Sequence, residues 1–344
     1  MSLKSSLRSL IFSLGLATSL YAEDVYSATK AEYVQDAATG IKALNSNWYS
    51  QDTGLWDSAW WHSANALTTL ADFAILQPGA ANSLGIANII QNTVKNAPKT
   101  YPGFISKIYE DEGCGRHLRG HADGGGTPCN GGIFMTKNRK YVNAVANELY
   151  LTTAAALANR IPSNRTYAQI ASNQWKWFQS SGLINGQNLI NDGLDGNCKN
   201  NGLETWTINQ GVILGALVEL STGALLGGGV LNTARALAKA AIKALSDADG
   251  ILVEIDHCET KADHCGAAAK QYKGIFIRNL GYLNQVIGDG DIRAFILKNA
   301  DSVWSKNRDA NNRMGVAWAG PVIAVNGASH SSALDALVAA ARVA

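Results

Sequence analysis

Charge is scarce in this sequence: 16% of its 344 residues are charged, against 47% that are hydrophobic. The formal net charge of +2 resides in Lys4 and Arg8, and the rest of the chain is balanced. A balanced chain has no electrostatic hold on nucleic acid or on an anionic bilayer, and neutral polymers such as polysaccharides suit it better. Long apolar runs are lacking as well. Leu10 to Leu16 is too short and too broken by serine to span a membrane. Ala333 to Ala344 is short and lacks the polar spacer of a lipid-anchor signal, and it reads as the last core helix. Strand-like alternation is missing, because apolar residues recur at helical spacing almost throughout. Gly223 to Gly229 has no lysine followed by Ser or Thr, which excludes a phosphate loop and leaves a linker turn. Asp247-Ala248-Asp249-Gly250 lacks the later ligands of a calcium loop and reads as a turn.

The basic start, the apolar run and the small residue Ala22 predict a secretory signal over residues 1–22, followed by one domain over 23–344. Five cysteines fit an oxidising compartment. Cys258 with Cys265 closes a short polar loop, Cys129 with Cys198 is a further pairing, and Cys114 is left over. Asn164-Arg165-Thr166 is a glycosylation acceptor between helices. A competing zinc reading groups Cys114, His117, His121 and Cys129, or His257-Cys258 with His264-Cys265. Secreted cysteines more commonly pair, so neither a metal nor a cofactor is expected.

Periodic segments such as Ala59, Ala64, Leu67, Leu70 and Phe73, or Ile213, Leu217 and Leu220, give about ten helices. Gln77-Pro78-Gly79, Ile161-Pro162 and Gly288-Asp289-Gly290 separate them. Helices beginning near Ser58, Asn143, Thr205 and Gln271 carry Trp, Asn, Gln, Tyr and Gly on otherwise apolar faces. Their partners, such as Asn232–Leu245 and Asp291–Trp304, are plain amphipathic helices. That alternation predicts an all-α protein, an α/α toroid of helix hairpins with an inner and an outer ring. Gly211 and Gly215 share a face and would let an inner helix approach its neighbour closely. No repeat of fixed period is visible, which keeps a plain bundle or a helical solenoid as alternatives.

Against this background Tyr109-Glu110-Asp111-Glu112-Gly113 stands out as three consecutive acids. Paired carboxyls beside aromatic platforms suit glycosidic cleavage, in which one acid stays protonated and the other ionised. Trp56, Trp60 and Trp61 with His62, and Trp206 with Asn209 and Gln210, combine apolar faces with amide hydrogen-bond partners, as sugar sites require. Asn143 and Asn147 share a helix face beside Glu148, and Lys273, Arg278 and Asn279 recur on a further inner helix.

Several ordered blocks carry a resemblance: Leu55-Trp56-Asp57-Ser58-Ala59-Trp60-Trp61, Gly131-Gly132-Ile133-Phe134, Tyr141 to Leu149, and Asp192-Gly193-Leu194. Thr205 to Gly211, Tyr272 to Leu280, Ala319-Gly320-Pro321 and Ser332 to Leu337 continue it. In these the chain resembles glycoside hydrolase family 76, the α-1,6-mannanases. The resemblance implies an (α/α)6 barrel, retaining hydrolysis or transfer on α-1,6-linked mannan or a related glycan, and a secreted or cell-wall location. It implies Glu110 as nucleophile and Asp111 as general acid/base. Asn143, Asn147, Asp192, Trp206, Asn209, Gln210 and Lys273 are the expected sugar-lining residues. No nucleic acid, membrane span or obligate partner subunit is expected, and the chain reads as a monomer.

Two departures from the family pattern stand out. The family has two aspartates where this chain has Glu110-Asp111, and the extra methylene displaces the carboxylate by about 1 Å, enough to cost about a hundredfold in rate. Residues 114–130 replace about two of the family's helices with a glycine-rich segment. Either a splice junction is misjoined there, or the toroid is open on its catalytic side. A catalytically impaired mannan-binding wall protein is therefore the alternative function.

Overall fold

The computed structural model describes residues 28–100, 128–135, 139–222 and 229–344. The expected signal and the expected loss of two helices after residue 113 fall outside these residues. Helix α1 (Lys30–Trp48) begins at Thr29, which forms a reciprocal capping box with Glu32. Strands β1 (Tyr49–Ser50) and β2 (Leu55–Trp56) pair antiparallel and lead into α2 (Trp60–Leu76). The short α3 (Pro78–Ser83) has proline at its start, where no amide donor is needed, and α4 (Ile86–Thr100) follows. Strand β3 (Val142–Asn143) opens α5 (Ala144–Arg160), and α6 (Arg165–Ser180) runs back. Strand β4 (Gly193–Leu194) pairs with β3 before α7 (Thr207–Ser221). Four helices complete the chain: α8 (Gly229–Ala244), α9 (Tyr272–Ile287), α10 (Gly290–Lys306) and α11 (Gly327–Val343).

Eleven α-helices and two minimal strand pairs among the described residues bear out the all-α expectation. They sort into two layers by burial. Every residue of α11 from Gly327 to Ala341 is buried, and α7 is buried over most of its length. In α8 only the stripe Val230, Ala234, Leu237, Ala238 and Ala241 is buried, as expected for a helix with solvent on one side. The inner helices pack in the sequence α2–α11–α9–α7–α5, while α1, α6, α8 and α10 pack outside them. The reading of the C-terminal segment as a core helix therefore holds. No helix of the described residues is long and apolar enough to cross a membrane.

Inner helices approach one another at glycine. A Cβ on Gly211 of α7 would lie 2.5 Å from the Phe276 Cα of α9, and one on Gly215 would lie 2.1 Å from Asn279 Oδ1. Gly274 of α9 does the same on the other side, at 2.6 Å from the Ser332 Cα of α11. Both α7 glycines therefore act as expected from their shared face. Deeper in the ring, α2, α9 and α11 are joined by buried polar groups. Arg278 Nη1 lies 3.0 Å from Asp335 Oδ2, Thr69 donates to Asp335 Oδ1 at 2.7 Å, and Tyr282 donates to Asp72. Arg342 reaches the same Asp72 at 3.2 Å.

The hairpin loops contain a repeat that was not visible in the sequence. Asn185 Oδ1 accepts from the amides of Gln187 and Leu189, Asp247 Oδ1 from Asp249 and Ile251, and Asp309 Oδ1 from Asn311 and Arg313. In each loop the third residue after the acceptor has positive φ: Asn188 at 59°, Gly250 at 73° and Asn312 at 60°. Glycine and asparagine tolerate that conformation best. These three loops fall at equal spacing along the chain and carry it from an outer helix toward the next inner one. Asp195 builds a fourth loop of the same kind, with Cys198 at φ 60°.

Both proposed disulfides are present, Cys129–Cys198 and Cys258–Cys265. They engage Cys129 of the first zinc reading and both cysteines of the second; the remaining members of the first cluster, Cys114, His117 and His121, lie outside the described residues. Asn164 is exposed at the start of α6, which suits a glycan acceptor.

His330 links α11 to α1. Its Nδ1 accepts from the Met314 amide at 2.9 Å, so Nε2–H donates to the Gly40 carbonyl at 2.8 Å. Burial pushes the imidazole pKa down to about 4. The unfolded imidazole binds its proton near pH 6.5, so the stability from the neutral ring is complete above that pH and is lost as pH falls toward 4. His330→Gln keeps a donor for Gly40 but does not titrate. Its urea-unfolding free energy should fall less steeply than wild type between pH 6.5 and 4, by up to about 1.4 kcal/mol per pH unit. Gly211→Ala should cost about 1–3 kcal/mol in the same measurement, by forcing α7 from α9.

Candidate active site

The N-terminal ends of α2, α9 and α11 meet at one face of the ring. Gln271, just before α9, donates to the His62 carbonyl at 3.1 Å and to Ser331 Oγ at 2.8 Å. Asn65 donates to the Gln271 side-chain oxygen at 3.1 Å, and Asp57 accepts from the first amide of α11, Gly327, at 2.6 Å. Asp57 thus serves as a cap supplied from another element. The start of α7 joins this face through its aromatic residue. Tyr272 makes edge contacts with Trp61 and Trp206, with ring centroids 6.4 and 6.1 Å apart. The three side chains form an aromatic arc across the starts of α2, α9 and α7. Beneath it Ile208, Val212 and Ile275 form an apolar patch separate from the main core, with Val145 of α5 packed against it.

Asp192 stands beside β3 and β4. Its backbone carbonyl accepts from the Ala144 amide at 2.8 Å and from Asn143 Nδ2 at 3.0 Å. Its carboxylate accepts from the Tyr141 hydroxyl, and Asn201 donates to the same hydroxyl oxygen at 3.0 Å. Gly193 is required here, since a Cβ would lie 2.5 Å from the Tyr141 oxygen. Burial, and then the bond to Asp192, raise the Tyr141 phenol above its ordinary range, so it remains a donor. The Tyr272 phenol is raised by burial and then by the charges of Glu254 and Asp192. Asp192 is half-buried and Asn143 buried; Asn143 also caps α5 through the Ala146 amide.

Three expected wall residues are committed to the protein instead. Asn147 is fully buried; it accepts from the Ile133 amide and from Gln174, and donates to the carbonyls of Ile133 and Asn143. It anchors the Gly131–Phe134 block. Gln210 pairs with both backbone groups of Ile190, at 2.9 and 2.8 Å. Lys273 is 1% exposed and donates to Glu259 at 2.6 Å and to the Val316 carbonyl at 2.8 Å. The side-chain polar atoms of all three are hydrogen-bonded within the protein. Trp206 is half-buried at the arc, and Asn209, one turn into α7, keeps a buried Nδ2 without a partner. Trp56 is a core residue donating to Asn45 at 3.1 Å, and does not form a platform.

Glu148 adds a feature of its own. It is fully buried on α5 with neither carboxyl oxygen hydrogen-bonded. Burial, and then the charge of Asp192, raise its pKa well above the ordinary carboxylate range. Tyr141, Tyr272 and Trp61 belong with the site although only Trp61 was singled out as a platform. The signal available for the other two was an aromatic residue at the start of an inner helix. The expected catalytic pair, Glu110 and Asp111, lies outside the described residues.

Comparison with known proteins places this architecture. The family model described as "Glycosyl hydrolase family 76" matches residues 122–342. The mannan endo-1,6-alpha-mannosidase DFG5 of Saccharomyces cerevisiae is 30% identical over 162 residues, a stretch covering 44% of this chain and 34% of that protein. The match thus spans about a third of that relative's length. An inactive variant of the alpha-1,6-mannanase of Salegentibacter sp., in complex with alpha-1,6-mannotetrose, superposes with a TM-score of 0.73 at 16% identity, covering 91% of this chain and 99% of that one. Dfg5 from Chaetomium thermophilum, in complex with glucosamine, gives 0.71 at 17% identity, with 92% of each chain covered. At such identities the structural likeness speaks for the fold, the helical toroid. The family match runs through the Asn143, Asp192, Trp206 and Tyr272 blocks and on through α11, so on sequence and fold together the chain belongs to glycosyl hydrolase family 76.

Proposed function

We propose that this chain is a secreted glycosidase that cleaves or transfers α-1,6-linked mannosides with retention of configuration. The observation that carries the reading is the aromatic arc Trp61–Tyr272–Trp206 across the starts of three inner helices, with the Asp192–Tyr141 pair at the start of a fourth. Ring faces stack on the C–H faces of a pyranose, while the half-buried Asp192 offers acceptors for its hydroxyls and the unpartnered Asn209 Nδ2 a donor. Inner-helix N-termini at the same face favour an ionised carboxylate nearby. In the mechanism, Asp111 gives its proton to the glycosidic oxygen as Glu110 attacks the anomeric carbon. The glycosidic bond breaks and a glycosyl ester forms on Glu110. Asp111 then takes a proton from water, or from a sugar hydroxyl, whose oxygen displaces Glu110 and restores the anomeric configuration.

One observation favours a second reading, a mannan-binding wall protein with impaired chemistry: glutamate occupies the nucleophile position. Incubation with α-1,6-mannan separates the two. An enzyme releases reducing ends, whereas a binding module retains the polymer uncut. Asp111→Asn should abolish release, and turnover that persists removes Asp111 from the mechanism. Glu110→Asp shortens the nucleophile by one methylene and should raise kcat, by up to about a hundredfold. A large fall in kcat instead would show that the site is built around the longer side chain.

A further inference from the structure

A chain of buried ionisable groups ends directly behind Trp206. Glu254 is 0% exposed, and both its carboxylate oxygens accept from Thr207, one from the amide at 3.1 Å and the other from the hydroxyl. Thr207 is the first residue of α7, and Trp206, its N-cap, has no side-chain hydrogen bond of its own to the helix. Glu254 therefore supplies from a distant loop the acceptor that this helix start needs. The amide of Glu254 in turn donates to Glu259 Oε1 at 3.0 Å, which also accepts Lys273 Nζ at 2.6 Å. Lys273 donates to the Val316 carbonyl and lies 5.2 Å from the Trp318 ring centroid. The disulfide Cys258–Cys265 closes the loop that carries Glu259.

Burial of such a set is not explained by stability alone, because well-packed apolar residues of similar volume commonly do as well or better. The set does fix geometry: Lys273 pairs with Glu259, Glu259 holds the Glu254 amide, and the Glu254 carboxyl holds the backbone next to the aromatic arc. We propose that Glu254, oriented by Glu259 and Lys273, is a positioning residue that sets the Trp206 ring for the sugar without touching the sugar itself. This rests on the reading of Trp206 as a sugar platform. Neither the mechanism nor the family match assigns Glu254 a role.

The test is calorimetric titration of α-1,6-mannotriose into the full chain carrying Asp111→Asn, so that binding is read without turnover, with thermal unfolding measured on every variant. Trp206→Ala should weaken binding about tenfold through loss of the platform. Glu254→Ala should weaken it by about as much, and Glu254→Gln, which keeps the shape and one acceptor, by a smaller factor of about three. In the Trp206→Ala background Glu254→Ala should have no further effect on affinity, because its influence passes through the ring. Where Glu254→Ala does not fold, Glu254→Gln with and without Trp206→Ala decides by the same comparison. Equal losses in both backgrounds, or a lowered melting temperature with unchanged affinity, overturn the positioning role. Unchanged affinity in Trp206→Ala overturns the platform reading and the proposal with it, whereas weakening by Trp206→Ala but not by Glu254 variants overturns the proposal alone.

Discussion

Backbone-to-backbone contact between inner helices is the constraint on which the rest of this structure depends. Gly211 against Phe276, and Gly274 against Ser332, allow α7, α9 and α11 to stand closer than side chains would permit. That closeness brings the starts of α2, α7 and α9 within ring contact of one another, so Trp61, Tyr272 and Trp206 form one surface. A wider ring would separate them into isolated aromatics with no shared face for a sugar. The separate apolar patch of Ile208, Val212 and Ile275 beneath the rings has the same origin, since it lies where α5, α7 and α9 converge.

Much of this was legible beforehand. The inner helices were legible from Trp, Asn, Gln, Tyr and Gly on otherwise apolar faces, beside partners that are plainly amphipathic; α7, which begins so, is buried over most of its length. Cys258 with Cys265 was legible because a short loop leaves few other partners. The loop repeat was not legible. Asn185, Asp247 and Asp309 share a side-chain oxygen and a positive-φ residue three positions on, but the residues between them differ. What recurs is a hydrogen-bond pattern, and an alignment of letters does not record it.

The site was legible in its members more than in their roles. Gln210 and Asn147 looked like sugar partners because amides near an aromatic helix start commonly are. Which backbone they meet is decided by tertiary folding, and Gln210 finds Ile190 while Asn147 finds Ile133. Lys273 looked like a wall cation, yet its charge is balanced by Glu259 from a loop whose path no local pattern foretold. The polar groups of this ring thus divide into those whose hydrogen bonds hold the wall in place and those, such as the half-buried Asp192, that are left partly exposed. Glu148 belongs to neither class, being buried and without a hydrogen-bond partner. Such a group is tolerated at a cost of a few kcal/mol, and such costs concentrate near functional centres.

The hairpin loops bear on how a chain of this kind can diverge. Each takes its turn from a few consecutive residues and one carboxylate or amide oxygen, and one side chain of a later helix ties it down: Gln210, Asn299 or His330. A stave of the barrel bounded by such corners can be exchanged or resized as a unit, provided its glycine face is kept. Lineages could then remodel the bore one stave at a time, keeping the other corners intact while substrate preference drifts.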